Sequence, residues 1–387
     1  MHIIYLIIEF LDELVFGVGE VALPFMRNDL TLTYTQIGLL LSLPGMIAAF
    51  VEPFIGILGD VWKRRLLIIT GGILFTVSLF MTSASASFLL LLLSFILFFP
   101  SSGAFVSLSQ ASLMDAAPAR HEQNMARWSF TGSLGVLTGP LLLGLFVYIG
   151  LGWRGAYAAL ASFSALCLFA AIRYLPPDKI SAPPLPSFRG VFNGFRAAFL
   201  ALKRGEVLRW LLLLEFADLM MDVLFSYLAL YFVDVGQATE AQAGLAVTIW
   251  LAMGLVTDFL FIPFIDRRKD SIRYVRITAL LEVLAFAIFL LVPGFLSKLI
   301  AVILVNLLNT GWYPVLQGRL YSSLPGQSAS IMALGSVTAP LAKFFPFLIG
   351  FAADHYGLQT AMWLLILGPI ALLIGLPRHT ASLTLHT

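Results

Sequence analysis

The chain has 387 residues, 60% of them hydrophobic and 11% charged, with a mean hydropathy of +0.95, whereas soluble domains carry about 25% charged residues. The longest stretch without an apolar run of spanning length is roughly 30 residues, which leaves no room for a separate water-soluble catalytic domain. With 23 Lys and Arg against 21 Asp and Glu the chain lacks the basic excess of a nucleic-acid binder, and its single cysteine, Cys167, excludes an internal disulfide or a thiolate metal cluster.

A spanning helix needs about 20 mostly apolar residues. Runs of that length predict twelve transmembrane helices, at 3–25, 36–58, 66–86, 88–113, 126–149, 155–175, 207–233, 241–264, 272–292, 298–322, 329–352 and 357–377. Runs such as Phe88 to Phe99 lack the alternation of a β-barrel strand, so an all-α membrane protein is expected. The first run begins at Ile3 and carries Glu9, Asp12, Glu13 and Glu20, which the apolar part of a cleaved signal does not tolerate, so it is read as a retained span. Between the sixth and seventh runs, Pro176-Pro177 and Pro183-Pro184-Leu185-Pro186 read as a semi-extended linker. There Phe192, Phe195, Phe199 and Leu202 alternate with Arg189, Arg196 and Lys203 at helical spacing, the pattern of a basic amphipathic helix lying on lipid. It is read as a tether, with a regulatory lipid sensor as the alternative.

Nineteen of the 23 Lys and Arg residues fall on the side of the termini, Arg27, Arg154 and Lys298 fall on the other, and Lys343 lies inside a span. By the positive-inside rule both termini are cytoplasmic. The domain organisation expected is a six-helix bundle over 1–175, a cytoplasmic linker with an amphipathic helix over 176–206, and a second six-helix bundle over 207–387.

The two halves repeat one another at an offset of 206. Glu9-Phe10-Leu11-Asp12 answers Glu215-Phe216-Ala217-Asp218, Gln36-Ile37-Gly38-Leu39 answers Gln242-Ala243-Gly244-Leu245, Glu52 answers Asp258, and Asp60 answers Asp266. Coincident intramembrane carboxylates are not produced by matching of apolar composition. Gln110, Leu113 and Pro118 answer Gln317, Leu320 and Pro325 one residue further on, and Gly135 to Pro140 resembles Gly335 to Pro340. Two parallel, pseudo-symmetric bundles follow, with a cavity between them.

Gly56-Ile57-Leu58-Gly59-Asp60-Val61-Trp62-Lys63-Arg64-Arg65 resembles the signature loop of the major facilitator superfamily, matching at Gly56, Asp60, Arg64 and Arg65 and departing at Val61 and Lys63. Asp266-Arg267-Arg268-Lys269 resembles the degenerate second copy, and the segment Gly350 to Gly357 adds to a likeness that covers the whole chain. Gly135-Val136-Leu137-Thr138-Gly139-Pro140 looks like the fifth-helix glycine-proline motif of the drug/proton antiporters, in which glycines let helices approach closely. The arginine that many of those antiporters keep in the fourth span is missing between Phe88 and Leu113. Glu9 to Leu39 resembles the fosmidomycin-resistance branch. The resemblance implies a twelve-helix transporter whose first and seventh helices border the cavity.

Ten carboxylates fall inside the predicted spans: Glu9, Asp12, Glu13, Glu20, Glu52, Glu215, Asp218, Asp222, Asp258 and Glu282. At roughly 2.5–3.5 kcal/mol for each charge at mid-bilayer they cannot all face lipid in ionised form. At 100° per residue, Glu9, Asp12, Glu13 and Glu20 fall on one face, and Glu215, Asp218 and Asp222 on another. These facing stripes are read as the proton-coupling and substrate-binding groups. Protons held among crowded carboxylates are displaced by a cationic substrate, which is exchange by competition. Lys343 either neutralises an acid such as Asp222 or meets an anionic group of the substrate. Gln110, Asn309, Trp312 and Tyr313, with Asn306 and Gln317, are candidate cavity residues. Gly56, Asp60, Arg64, Arg65, Glu52, Arg127, Asp258 and Asp266 are read as a cytoplasmic gate. Glu282, in the ninth span, is placed away from the cavity.

The five histidines lie at the termini or in loops, and neither metal-ligand spacing nor a phosphate-binding glycine loop occurs, so no enzyme activity, metal, cofactor or ATP use is expected. The function expected is a proton-coupled antiporter of a bacterial plasma membrane, monomeric in lipid, exporting a small organic cation or amphipathic drug. Its competitors are transport of an anionic or zwitterionic metabolite through Lys343, and a non-transporting membrane sensor.

Overall fold

The computed structural model describes residues 3–61, 63–116, 121–176, 203–266, 271–323, 338, 340 and 342–377. The predicted amphipathic segment of the linker, the repeat at Gly335 and the charges Arg267 to Lys269 lie outside these residues, as do the side chains of Asp60, Asp258 and Asp266. All regular structure among the described residues is helical.

The first half contains α1 (Ile3–Leu30), α2 (Tyr34–Val61), α3 (Arg64–Ser83), α4 (Phe88–Ala116), α5 (His121–Tyr148) and α6 (Gly152–Tyr174). The second contains α7 (205–234), α8 (Glu240–Asp266), α9 (Ser271–Leu291), α10 (Phe295–Asn309), α11 (Trp312–Ser323), α12 (Phe345–Tyr356) and α13 (Leu358–Gly375). Nine helical segments among the described residues are long and apolar enough to cross a membrane. α1 and α7 are long enough but interrupted by their carboxylates.

The 206-residue repeat is visible in local chemistry. Thr33 and Gln36 form a reciprocal capping box at the start of α2, with N···O distances of 3.0 and 3.2 Å. Thr239 and Gln242, each 206 residues later, form the same box at the start of α8, at 2.9 and 3.2 Å. In both halves the box satisfies backbone donors that a helix start leaves free.

Departures from regular winding in α4, α7 and the α10–α11 segment bear on the site. α4 carries a π turn at Gly103–Ser107, and α7 carries one at Leu219–Val223. Asn309 Nδ2 donates to the Met220 carbonyl at 3.1 Å and so occupies an acceptor in the π turn of α7. The run predicted as one helix over 298–322 is broken: α10 ends at Asn309 and α11 restarts at Trp312. Gly311, at φ +83, supplies the left-handed residue that this break requires. Its position was hidden because Gly is common in membrane helices and the apolar pattern runs straight through it.

The glycine-proline segment of α5 sets the closest crossing in the first half. A Cβ on Gly139 would sit 2.3 Å from the Gly17 carbonyl carbon, and one on Gly17 would sit 2.2 Å from the Val136 oxygen. Backbone therefore lies on backbone, the packing mode that replaces hydrophobic burial inside a bilayer. α3 packs on α4 and α6, while α9 packs on α10 and α13, closing the two halves around α1 and α7.

The halves meet through α1 with the later part of α7, α2 with α12, and α5 with α8. The named contacts of the first two seams lie toward the end of the molecule away from both chain termini, here called the distal end. At the opposite, proximal end the last turns of α4 pack on α1, α3 and α5, and α11 packs on α7 and α9, each within its own half. Among the described residues the contacts that join the halves thus gather at the distal end, and the main proximal contacts lie within each half. Gly350 sustains the seal: a Cβ there would lie 2.2 Å from the Tyr34 carbonyl oxygen. Gly350→Leu is therefore expected to destabilise distal closure by about 1–3 kcal/mol and to widen the separation of spin labels placed on α2 and α12. An unaltered distance distribution would count against this account of the seal.

Candidate functional site

Carboxylates from α1 turn inward, as expected from their cost in lipid. Glu9 and Asp12 are buried, and Asp12 accepts a hydrogen bond from Ser102 Oγ at 2.9 Å, on the turn that precedes the π segment of α4. Gly132 of α5 leaves the space for Glu9: a Cβ there would come within 2.7 Å of Glu9 Oε1 and 3.2 Å of Glu13 Cγ. Glu52 lies over Gly103, where a Cβ would meet its Cγ at 2.9 Å. Glu52 is thus close enough to the α1 acids for its charge to act on Asp12.

The second half holds a cavity of about 230 Å³ lined by Leu211, Leu214, Glu215, Asp218, Asp222, Tyr313, Gln317, Leu320, Thr338, Ala342 and Lys343. Asp222 is exposed to it, and its carboxyl is in hydrogen-bonding contact with that of Asp218. Lys343 stands at the turn before α12 and reaches across to the first half, where a Cβ on Gly45 of α2 would lie 3.3 Å from its Cδ. Its charge acts on Glu20 and Glu52 of one half and on Glu215 and Asp218 of the other. Lys343 has no ion pair within 4 Å of any described carboxylate. The expected pairing with Asp222 is not formed.

Glu20 sits where the two halves touch. Its Oε1 is 3.5 Å from Ser226 Oγ, and Ser226 is its repeat mate, 206 residues on. Its Oε2 is buried without a hydrogen-bond partner. Repeat-related residues touch each other only at a two-fold axis, so this contact marks the pseudo-axis between the halves.

Several expected cavity residues lie elsewhere. Trp312 is fully buried and donates from Nε1 to Thr278 Oγ1 of α9 at 2.8 Å, so it packs within the second half instead of lining the cavity. Asn309 is taken up by the Met220 carbonyl, as described above. Gln110 contacts Met125 Sδ at 3.6 Å inside the first half. Tyr313 and Gln317 do line the cavity. Lys298, read as a charge outside the membrane on the far side, is a buried base, its Nζ donating to Tyr231 Oη and the Phe289 carbonyl at 3.0 Å each. Glu282 is wholly buried with both carboxyl oxygens unpartnered among the described residues, and it lies outside the cavity.

Of the expected proximal gate, Arg64 binds Asp115 at 2.6 Å and the Gly59 carbonyl at 2.9 Å, and Arg65 donates to the Ile172 carbonyl at 2.6 Å. These contacts tie α3 to its own half. A Cβ at Gly56 would meet open space, and Arg127 is exposed.

The distal seal is a polar latch that the sequence reading missed. Arg27 Nη1 donates to both oxygens of Asp234, at 3.0 and 2.9 Å, and its guanidinium lies 4.3 Å from the Tyr34 ring centre. Tyr34 Oη donates to Asp234 Oδ2 at 2.9 Å, and Asn28 Nδ2 donates to Glu240 at 3.0 Å. Asp354 of α12 accepts from the backbone N–H groups of Tyr34 and Thr35 at 2.8 Å each, capping α2 from the opposite half. The signal that would have found the latch is the offset: Arg27 and Asp234 lie 207 residues apart, so they too approach across the pseudo-axis.

The sequence model of the Major Facilitator Superfamily matches residues 5–345. The chain belongs to this superfamily. Its efflux relatives include the purine ribonucleoside efflux pump NepI of Shigella dysenteriae serotype 1 (strain Sd197), 28% identical over 183 residues that cover 46% of each chain. Another is the quinolone resistance protein NorA of Staphylococcus aureus (strain MRSA252), 32% identical over 127 residues, 32% of this chain and 33% of that protein. The matched segments thus span less than half the length of these relatives. Among solved structures, the nucleoside transporter NupG superposes with a TM-score of 0.78 at 15% identity over 97% of this chain and 98% of that one. A bacterial homologue of the lysosomal transporter Spinster, inward-facing and occupied, gives 0.71 at 15% identity over 97% and 94%. These superpositions show the fold alone, and the family model together with nine helices of spanning length among the described residues makes the chain an integral membrane member of the superfamily.

For the superfamily's two-ended cycle, Asp354 offers a measurable handle. It lies beyond the predicted end of its span. Burial acts to raise its carboxyl, but hydrogen bonds from Thr35, Tyr34 and Thr33 outweigh it and hold the group below the usual aspartate range. A depressed value means the cap is complete at neutral pH and is lost only as pH falls through that lowered value. Asp354→Ala is expected to remove about 1 kcal/mol of distal closure, roughly a fivefold shift toward the distally open form at neutral pH, read by the same spin-label distances; equal populations in both proteins would refute the cap.

Proposed function

We propose that this protein is a proton-coupled efflux antiporter for a small organic cation or cationic amphipathic compound, working by alternating access. The observation that carries the reading is the convergence of Glu20, Glu215, Asp218, Asp222 and Lys343 between two halves whose contacts among the described residues gather distally. In this reading the distal end faces outward, both termini are cytoplasmic, and the membrane is the bacterial inner membrane, as the distribution of Lys and Arg suggests. The protein acts as a monomer among lipids, with the first and second halves, 1–175 and 207–387, as its moving bodies.

A substrate entering from the proximal side passes Glu215 and Asp218 and reaches Asp222, the most exposed of the three carboxyls. Asp218 beside it gives a second acceptor. Two adjacent carboxyls repel when both are ionised, so protons and a cationic substrate compete for the pair. Distal opening after substrate binding requires Arg27 to leave Asp234 and α2 to leave the Asp354 cap. Protons entering from outside then displace the substrate, and proximal opening releases them inward. Lys343 keeps the cavity from accumulating uncompensated negative charge and ties both halves to one electrostatic centre. The efflux names of NepI and NorA lend weight to the direction of transport.

Asp222→Asn removes the exposed acceptor with little change of volume. It is expected to reduce pH-driven export in reconstituted vesicles by at least about tenfold, a loss of 1.4 kcal/mol or more, while the thermal stability of the purified protein stays close to that of the parent. Export that still follows an imposed proton gradient would remove the coupling role.

One observation favours a second reading. Lys343 is the cavity's cation and has no carboxylate partner within 4 Å among the described residues. A zwitterionic or nucleoside-like substrate, of the kind that the names of NepI and NorA bring to mind, could use it to hold an anionic or carbonyl group. Lys343→Gln separates the readings: it cripples transport of such a substrate and leaves cation export within a few-fold of normal.

A further inference from the structure

A second, smaller cavity lies inside the first half, toward the distal side of the carboxylate cluster. It measures about 60 Å³ and is walled by Phe16, Phe95, Phe98, Phe99 and Tyr157, with Glu20 at its edge. That exceeds the ~10–15 Å³ that one water needs and is far too small for a whole drug-sized molecule. Phe98 and Phe99 each meet Phe16 edge to face, at ring-centre distances of 5.4 and 5.7 Å, and they meet each other at 5.6 Å, so the walls are locked by aromatic contact.

Two polar groups are built into this apolar slot and neither is used up. Tyr157 is only 2% exposed, lines the slot, and its hydroxyl makes no hydrogen bond among the described residues. It lies against α1: a Cβ on Gly19 would be 3.5 Å from that hydroxyl, and the charge of Glu20 acts on it. Glu20 has one oxygen on Ser226 and the other without a partner. A buried carboxylate oxygen without a partner costs free energy, so Glu20 Oε2 calls for a donor, and the Tyr157 hydroxyl lining the same slot is free to take part.

We infer that this slot is a substrate subsite for the charged head of an alkylammonium compound: Glu20 Oε2 and the Tyr157 hydroxyl accept N–H hydrogen bonds while the faces of the surrounding rings hold the cation and its first carbons. The rest of the molecule extends past Glu20 toward Asp222 and Lys343. This placement rests on the cation-export reading above and adds to it a requirement: the head must carry at least two N–H groups and a slender alkyl stem. A quaternary ammonium offers no hydrogen and is too broad. The slot selects on shape and hydrogen-bond count, whereas the open carboxylate cavity selects on charge alone.

Direct binding of n-butylammonium to the purified full-length protein in nanodiscs, followed by calorimetry at fixed pH without any gradient, tests the subsite. Butyltrimethylammonium and 1-butanol serve as probes that lack the N–H groups or the charge. The parent is expected to prefer n-butylammonium over both by about tenfold or more, the worth of a hydrogen bond to a charged group. Tyr157→Phe should lose about three- to tenfold of that preference with the ring retained, and Glu20→Gln tenfold or more. Proton-driven flux of the parent is read separately: probe preference without flux defeats the export reading and leaves the slot standing, whereas flux without probe preference defeats the slot alone. Because Tyr157→Phe and Glu20→Gln alter no packing volume to speak of, melting within a few degrees of the parent shows that they fold. Equal affinity of the parent for the three probes, or unchanged n-butylammonium affinity in both slot variants, overturns the inference.

Discussion

A carboxylate cannot be turned toward acyl chains in its ionised form, and most of this architecture answers to that single constraint. It fixes the rotation of α1 and α7 about their own axes, because Glu9, Asp12, Glu13 and Glu20 on one helix and Glu215, Asp218 and Asp222 on the other must all face protein or water. Once α1 is so turned, α5 must come close without filling the space that the acids need. Gly132, Gly135 and Gly139 provide that, since a Cβ at any of them would strike Glu9, the Phe10 carbonyl or Gly17. The glycine stripe and the acid stripe are two sides of one packing solution.

Local irregularity is concentrated at the same level of the molecule. The π turn in α4 follows Ser102, which holds Asp12, and the π turn in α7 contains Asp222. The break between α10 and α11 sends Trp312 outward into α9 and leaves Asn309 to satisfy the α7 turn. A regular helix would place the polar groups of these segments in other directions, so each departure from ideal winding re-aims a side chain that the cavity or its support uses. The irregular backbone is tolerated because it is buried in protein and not bathed in lipid.

Much of this was legible in the residues themselves. The apolar runs gave the helices to within a few residues at most ends, and the coincidence of Glu9 and Asp12 with Glu215 and Asp218 gave the repeat that the paired capping boxes display. What escaped had a common cause: it depended on which residues from distant segments meet. Lys298 reads as a loop charge until Tyr231 and the end of α9 close over it. The Phe-rich run from Phe88 to Phe99 identifies a helix but not its buried face: Phe98 is buried and Phe95 and Phe99 wall a slot. Trp312 reads as a stacking platform because its direction is set by a break that no hydropathy window registers. Only the distal latch left a trace, in the near-equality of the spacing between Arg27 and Asp234 to the repeat length.

The two lateral seams between the halves are chemically unlike, although pseudo-symmetry makes them counterparts. Along α2 and α12 the seam is zipped by Asp354, by Ser42 accepting from the Phe347 N–H at 2.8 Å, and by backbone resting on Gly38 and Gly350. Along α5 and α8 no hydrogen bond joins the halves among the described residues. Separating the halves along the first margin would exchange each bond for one to water, whereas the second has no such bond to exchange among the described residues. In the alternating-access reading proposed above, such unequal margins make the rocking lopsided, with the greasy edge as the pivot and the mouth gaping first along the wetted one.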